Sequence, residues 1–289
     1  MSASDNDVAA QLRQTSDLVT VIKPSRGWSW LDLKELWRYR ELIYFLVWRD
    51  VKVRYKQTLL GAAWAILKPF LSMVIFTVIF AGLANLETDG SPPPVFYYAG
   101  LLPWVLFQDG VTKAGNSLVT GSNLITKVYF PRVAIPLASV VAGIVDFGLA
   151  FIILIGMMVY YAVSPTAAAW ALPLFVLLAL TTALGVGLWL SALNVSYRDI
   201  GYVTPFLVQA WLYASPVVYS TKIIPEGWAR VVYGLNPMAG VVQGFRWGIL
   251  GGEAPETGLL VLSVSVALLL LISGILYFRR TERTFADVV

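Results

Sequence analysis

The sequence predicts an all-α integral membrane protein with six transmembrane helices. Three observations carry this. Of 289 residues, 58% are hydrophobic and only 13% are charged, against about 25% charged in a soluble domain, and the mean hydropathy is +0.71. Six stretches reach the roughly 20 apolar residues that a span needs: about 60–84, 95–118, 133–162, 170–193, 201–220 and 258–278. Lysine and arginine are distributed unevenly among the connecting segments, the pattern of a chain whose basic loops stay inside.

The chain opens with "MSASDNDVAAQLRQTSD", polar and acidic. It lacks the basic start and apolar run of a signal peptide, so residues 1–25 read as a disordered cytoplasmic tail. Residues 26–57 read as an amphipathic helix in the membrane interface. Ser29 and Asp32 resemble a capping box at its start. At about 100° per residue, Lys34, Arg38, Glu41, Arg49, Lys52 and Lys56 share one face. Leu33, Leu36, Trp37, Ile43, Tyr44, Val47 and Val51 share the opposite one. A basic face opposite an aromatic-rich apolar face suits a helix lying on a bilayer. Arg40 and Arg54 interrupt the apolar stripe. They either snorkel to the headgroups or meet an anionic lipid headgroup arriving from the cytoplasmic leaflet.

Residues 58–280 read as one six-span domain, with "PPP" at 92–94 marking a loop, and 281–289 as a second cytoplasmic tail. Residues 1–57 hold ten Lys and Arg, the 85–94 and 163–169 loops none, 123–132 two, "YRD" at 197–199 one and "RRTERTF" three. Both termini and the loops at 123–132 and 197–199 are therefore expected in the cytoplasm. The 221–257 segment carries Lys222, Arg230 and Arg246 yet falls outside, a mild conflict with the rule. It is too broken by Gly and Pro for a span and too apolar for a plain loop. Two short helices dipping into the outer leaflet fit it, a backbone tolerated only against protein or a water-filled cavity.

The absences exclude most chemistry. With no histidine and no cysteine, the commonest general base, metal ligand and thiolate are missing. There is no G-x-x-x-x-G-K-[ST] phosphate loop and no G-x-S-x-G elbow. "DND" at 5–7 sits in the polar tail, and Glu253 and Glu256 sit in a Gly- and Pro-rich loop, so neither reads as a metal or catalytic site. The chain is expected not to be an enzyme and to hold no metal or cofactor of its own.

Charges inside the spans are few. Asp109 and Lys113 are four apart and can meet on one helix face. Asp146 has no partner in its own helix. A carboxylate at that depth costs about 2.5–3.5 kcal/mol on insertion scales, so it should face the protein interior, in an interhelical hydrogen bond rather than a proton relay. Many of the 11 Trp, 14 Tyr and 14 Phe fall at span ends, as interfacial belts do. Trp64, Phe70, Phe76, Phe80, Trp211 and Tyr213 do not. Each either packs between helices or offers a ring face to a sugar, by analogy with stacking platforms for bases.

Four stretches resemble the transmembrane subunit of ABC type-2 exporters, in the branch that moves O-antigen, capsule and teichoic acid. They are "RYKQTLLGAAWAILKP", "NLITKVYFPRVAIP", "NVSYRDIG" and "SPVVYS…IP…LNPM…FR", in this order across residues 30–280. The resemblance implies that "NLITKVYFPR" is a coupling helix docking into a separate ATPase subunit. Asn123, Leu124, Lys127, Val128, Tyr129, Phe130, Pro131 and Arg132 would form it. A short helix with aromatic anchors, two orienting cations and a proline stop agrees; an interfacial hairpin is the plainer reading. The missing phosphate loop then means that ATP and Mg bind in the partner.

The resemblance further implies two copies of this chain with two ATPases, in the bacterial plasma membrane, and no nucleic acid. Its cargo would be a polysaccharide linked to undecaprenyl diphosphate. Arg40, Arg54, Tyr55 and Lys56 would form the gate and headgroup site, because arginine suits bidentate phosphate contact. The first and fifth spans would line the channel with the six aromatics above. A drug or small-lipid efflux permease of the same superfamily is the alternative. A membrane-embedded transferase would need an acid or metal site, and a proton-driven flippase inverted repeats and paired charges.

Overall fold

The computed structural model describes residues 33–56, 61–122, 124, 130–225, 227–282 and 285. The expected tail at 1–25, the Ser29–Asp32 cap, and Asn123, Lys127, Val128 and Tyr129 of the expected coupling segment lie outside the described residues. All regular structure among the described residues is helical.

The described residues begin with α1 (Leu33–Arg38) and α2 (Arg40–Lys56), interrupted only at Tyr39. The expected apolar stripe divides between two sides. Leu46 is the buried residue of α2, and the half-buried Ile43, Val47, Asp50 and Arg54 lie on the same side. Trp37, Tyr44, Phe45, Trp48 and Val53 are exposed. The helix thus has a protein-facing side holding two charges and a separate aromatic side open to its surroundings. Arg54 interrupts the apolar stripe because it belongs to the first.

Helix α3 (Gly61–Phe76) carries Pro69, which offers no N–H to the Ala65 carbonyl, and continues as a π-helical turn at Thr77–Leu83. The three prolines at 92–94 start a helix rather than sit in a loop. Pro92 is the N-cap of α4 (Pro93–Thr120), and a missing N–H costs nothing in a first turn. Helix α4 is the centre of the protein. Phe96, Tyr97, Tyr98, Trp104 and Phe107 are all fully buried on it.

Helices α5 (Ala134–Val141) and α6 (Gly143–Tyr160) follow, then α7 (Leu172–Ser196), α8 (Ile200–Tyr213), α9 (Trp228–Gly234), α10 (Pro237–Leu250) and α11 (Thr257–Thr281). Among the described residues, four stretches are long and apolar enough to cross a membrane: Ala63–Leu83, Ala134–Tyr160, Ala167–Ser196 and Thr257–Thr281. The expected second and fifth spans fall outside this set for different reasons. Helix α4 is long enough, but Gln108, Asp109, Lys113 and Asn116 lower its hydropathy. Helix α8 has 14 residues, about 21 Å at 1.5 Å per residue against a hydrocarbon core of about 30 Å. It stops at Tyr213 because proline at 216 disfavours helical backbone just before it.

Small residues set the helix spacing. A Cβ on Gly274 of α11 would lie 2.4 Å from the Gly185 carbonyl oxygen of α7. One on Gly187 would lie 2.6 Å from Ala114 Cβ of α4. Such close crossings are how helices gain contact where apolar lipid provides no drive to associate.

Candidate functional site

A cavity of about 350 Å³ opens between α3, α4 and α6, reached by Arg54 at the end of α2. Five charged side chains alternate in sign along it. Arg54 Nη1 and the Tyr55 hydroxyl both donate to the Asp146 carboxylate. Lys113 Nζ reaches Asp146 at 3.2 Å and Asp109 at 3.2 Å. Lys68 Nζ closes the series on Asp109 at 2.8 Å. Four helices are thereby joined: Arg54 comes from α2, Lys68 from α3, Asp109 and Lys113 from α4, Asp146 from α6. The i,i+4 spacing on α4 puts Asp109 and Lys113 on one face, as expected. Asp146 faces inward, as expected, but its partners are cations as well as a hydroxyl. Burial, followed by the hydrogen bond and charge of Asp146, pushes the Tyr55 phenol up to about 12.

Apolar groups complete the wall, among them Trp64, Ala65, Pro69, Leu106 and Phe147. The site has three cations and two carboxylates on an otherwise greasy surface. Of the expected headgroup residues, only Arg54 and Tyr55 reach it. Arg40 lies over the Trp37 ring at 5.6 Å, and Lys56 is exposed. Lys68 is the residue sequence reasoning missed. Its signal was a lone lysine in an otherwise apolar first span, next to Pro69.

The six aromatics divide. Trp64, Phe70 and Tyr213 are exposed, and Trp64 lines the cavity. Phe76 and Phe80 meet edge to face at 5.4 Å and pack with Tyr97. Trp211 packs against Phe107 at 5.0 Å and donates its Nε1–H to Asn236.

In the segment expected to couple, the described residues are tied to their own chain. Leu124 N donates to the Gly121 carbonyl at 2.9 Å. Phe130 is buried. Arg132 donates its backbone N–H to the Glu282 carboxylate at 3.2 Å and its guanidinium to the Glu282 carbonyl. The far end of α11 therefore holds the C-terminal end of this segment.

The fourth sequence stretch forms a second polar centre. Arg246 on α10 is buried and donates to the carbonyls of Pro216 at 2.6 Å, Val217 at 2.8 Å, Tyr219 at 3.1 Å and Phe96 at 3.4 Å. It also lies 3.5 Å over the Phe96 ring. Burial lowers its guanidinium to about 9, which leaves it protonated at neutral pH. Asn236 caps α10 by accepting from Met238 N and donates to the Ala214 carbonyl and Ser215 Oγ. Lys222 pairs with Asp89 at 3.3 Å and Arg230 with Glu256 at 3.2 Å. All three cations of 221–257 thus have partners within the chain.

Comparison with known proteins places these features in a family. Residues 41–250 match the family described as ABC-2 type transporter. The chain is 29% identical over 258 residues to the O-antigen export system permease protein RfbA of Myxococcus xanthus, covering 89% of this chain and 98% of that one. A Klebsiella pneumoniae protein of the same name is 25% identical over 250 residues, 86% of this chain and 95% of its own length. The polysialic acid transport protein KpsM of Escherichia coli is 23% identical over 244 residues, 81% and 91% of the two chains. The family match takes in α2 from Glu41 onward, the charged cavity and the Arg246 centre together, and the chain belongs to the ABC-2 type transporter membrane family.

Proposed function

We propose that this chain is the channel-forming membrane subunit of an ATP-driven exporter of polysaccharide linked to undecaprenyl diphosphate, O-antigen being the favoured class. The observation that carries this reading is similarity along most of the chain to permeases named for O-antigen export and polysialic acid transport. The cavity supports it. Cations beside an apolar wall with an indole ring suit an anionic linkage between a lipid and a sugar.

In this reading the six spans are α3, α4, α5 with α6, α7, α8 extended to about Ser220, and α11. Both termini lie in the cytoplasm, and α9 and α10 are the re-entrant pair at the outer face. Two copies of the chain assemble with two ATPase subunits, which bind ATP and Mg. The segment from Asn123 to Arg132 receives their motion. Arg54, Tyr55 and the cavity meet the diphosphate, and Arg40 and Lys56 attract it from the surface. Trp64, Phe70 and Tyr213 are the aromatics placed to meet sugar, because they are exposed.

The test is a deletion strain complemented with the gene. Lipid-linked glycan is assayed on each side of the plasma membrane, alongside tolerance to a drug panel. Accumulation of long glycan inside, with loss from the surface, is the expected result. Normal surface glycan with reduced drug tolerance would instead establish the efflux alternative.

A further inference from the structure

The charge series in the cavity has an internal asymmetry. Lys113 sits in the middle and touches both carboxylates, at 3.2 Å each. Arg54 and Lys68 sit at the two ends and are paired with one carboxylate each in the series. If either outer cation turns away, its carboxylate keeps Lys113. This matters because a half-buried carboxylate stripped of every partner is costly, and here neither is stripped. Either outer cation can therefore leave without stripping a carboxylate, and when both are engaged elsewhere Lys113 is the cation of the series that still touches both Asp146 and Asp109.

The outer cations also belong to different elements. Arg54, with Tyr55 beside it, ends α2, and Lys68 lies on α3. Lys68 is the most exposed member of the series, at 48% for its side chain. Both line the same cavity with Trp64 and Pro69. A guanidinium binds phosphate with the same fork it offers a carboxylate, and an ammonium serves as a point charge. The carboxylates of Asp146 and Asp109 hold the positions on these cations that an external oxyanion would take.

We propose that Arg54 and Lys68 form a two-cation receptor for a diphosphate headgroup, that Asp146 and Asp109 hold the two cations in register while the receptor is empty, and that Lys113 retains both carboxylates when the headgroup takes the cations. The identification of the ligand as lipid-linked rests on the export reading above; the exchange geometry does not. Headgroup binding breaks the link from Arg54 and Tyr55 to Asp146. Since that link ties the end of α2 to α6, while the hydrogen bond from Ser139 of α5 to Asp50 at 3.4 Å holds the helix further back, arrival of substrate and release of the Arg54 end of α2 are one event. The device works because the ligand binds the released state better than the latched one.

The experiment uses the full chain with its ATPase in nanodiscs of zwitterionic lipid. The chain has no cysteine, so Val53→Cys on α2 and Ile152→Cys on α6, both exposed, report the α2–α6 distance by spin labelling. A short-chain polyprenyl diphosphate is expected to shift that distance, and the same prenol without phosphate to leave it unchanged. Lys68→Gln leaves Asp109 paired with Lys113 and should raise the half-maximal diphosphate concentration about tenfold. Asp146→Asn should lower it about tenfold and shift the empty distance, by removing the competing state. Tyr55→Phe, which keeps every charge, should act in the same direction by about two- to threefold if the asparagine variant does not fold. Inorganic pyrophosphate producing the same shift supports the receptor and locates recognition in the phosphates. An equal shift from phosphatidylglycerol alone overturns the diphosphate assignment. Wild-type behaviour of both Lys68→Gln and Tyr55→Phe overturns the exchange. If glycan export proves independent of the chain while the diphosphate still moves α2, the export reading falls and the receptor stands. If export depends on the chain while every diphosphate arm is silent, the receptor falls and the export reading stands.

Discussion

Arg54 and Arg246 are two arginines of one chain, and their surroundings are opposite. Arg54 is partly exposed, meets a carboxylate and belongs to a series with exchangeable members. Arg246 is buried and meets backbone carbonyls of four residues across two other segments, with an aromatic ring beneath it. A carboxylate can be replaced on a guanidinium by another anion. Four carbonyls converging from a fixed backbone cannot. The first arrangement suits a site that changes state, the second a staple that orients α10 against α4 and the Ser215–Ser220 turn. Charge inside this protein is therefore not one phenomenon.

The largest test of this contrast is Arg246→Leu. It strands the Pro216, Val217 and Tyr219 carbonyls, each at about 1–3 kcal/mol when left unpaired in a buried site. Loss of folded chain in nanodiscs is the expected outcome, with Arg246→Lys intermediate because an ammonium cannot fork. Near-normal thermal stability of the leucine variant would remove the staple.

A double-mutant cycle of Arg54→Gln with Asp146→Asn should show a coupling of about 0.5–3 kcal/mol in thermal unfolding, as for partners in one network. The matching cycle of Lys68→Gln with Asp109→Asn should give less, about 0.2–1 kcal/mol, because Lys68 is half exposed. Its coupling should also fade in high salt. A Lys68 coupling as large as that of Arg54 would erase the distinction between the two ends of the series.

The smallest effect is in pH. The folded Tyr55 phenol is raised from 10.0 to about 12, so its neutral form is favoured in the folded chain. The stabilisation is present below pH about 10 and is lost as pH rises from there to about 12. Comparing wild type with Tyr55→Phe across that window should show a steeper fall in wild-type stability. Parallel curves would mean that Tyr55 is neither buried nor held by Asp146 as the structure has it.

Much of this was legible from the residues in order. Composition required a membrane protein, and apolar length marked the four stretches that are long enough to span. The Asp109–Lys113 pair followed from helical spacing, and the inward turn of Asp146 from the cost of a lone carboxylate in lipid. The two helices of 221–257 followed from Gly and Pro interruption of an apolar segment. These are properties of one helix and its solvent, which a sequence carries directly.

What required the fold were relations between helices. The side of α2 that meets the bundle depends on rotation about its axis, which periodicity leaves open because aromatic side chains satisfy lipid as well as protein. Lys68 joined the site only when α3 packed beside α4. In sequence Arg246 is one of three cations in a segment expected outside; only the fold brings four carbonyls onto it, from residues up to 150 positions away. Chain composition determined that charges in this protein would be scarce and in need of partners; only the tertiary structure decided which partners, because a charge in a low-dielectric interior is settled by whatever the fold brings within a few ångströms.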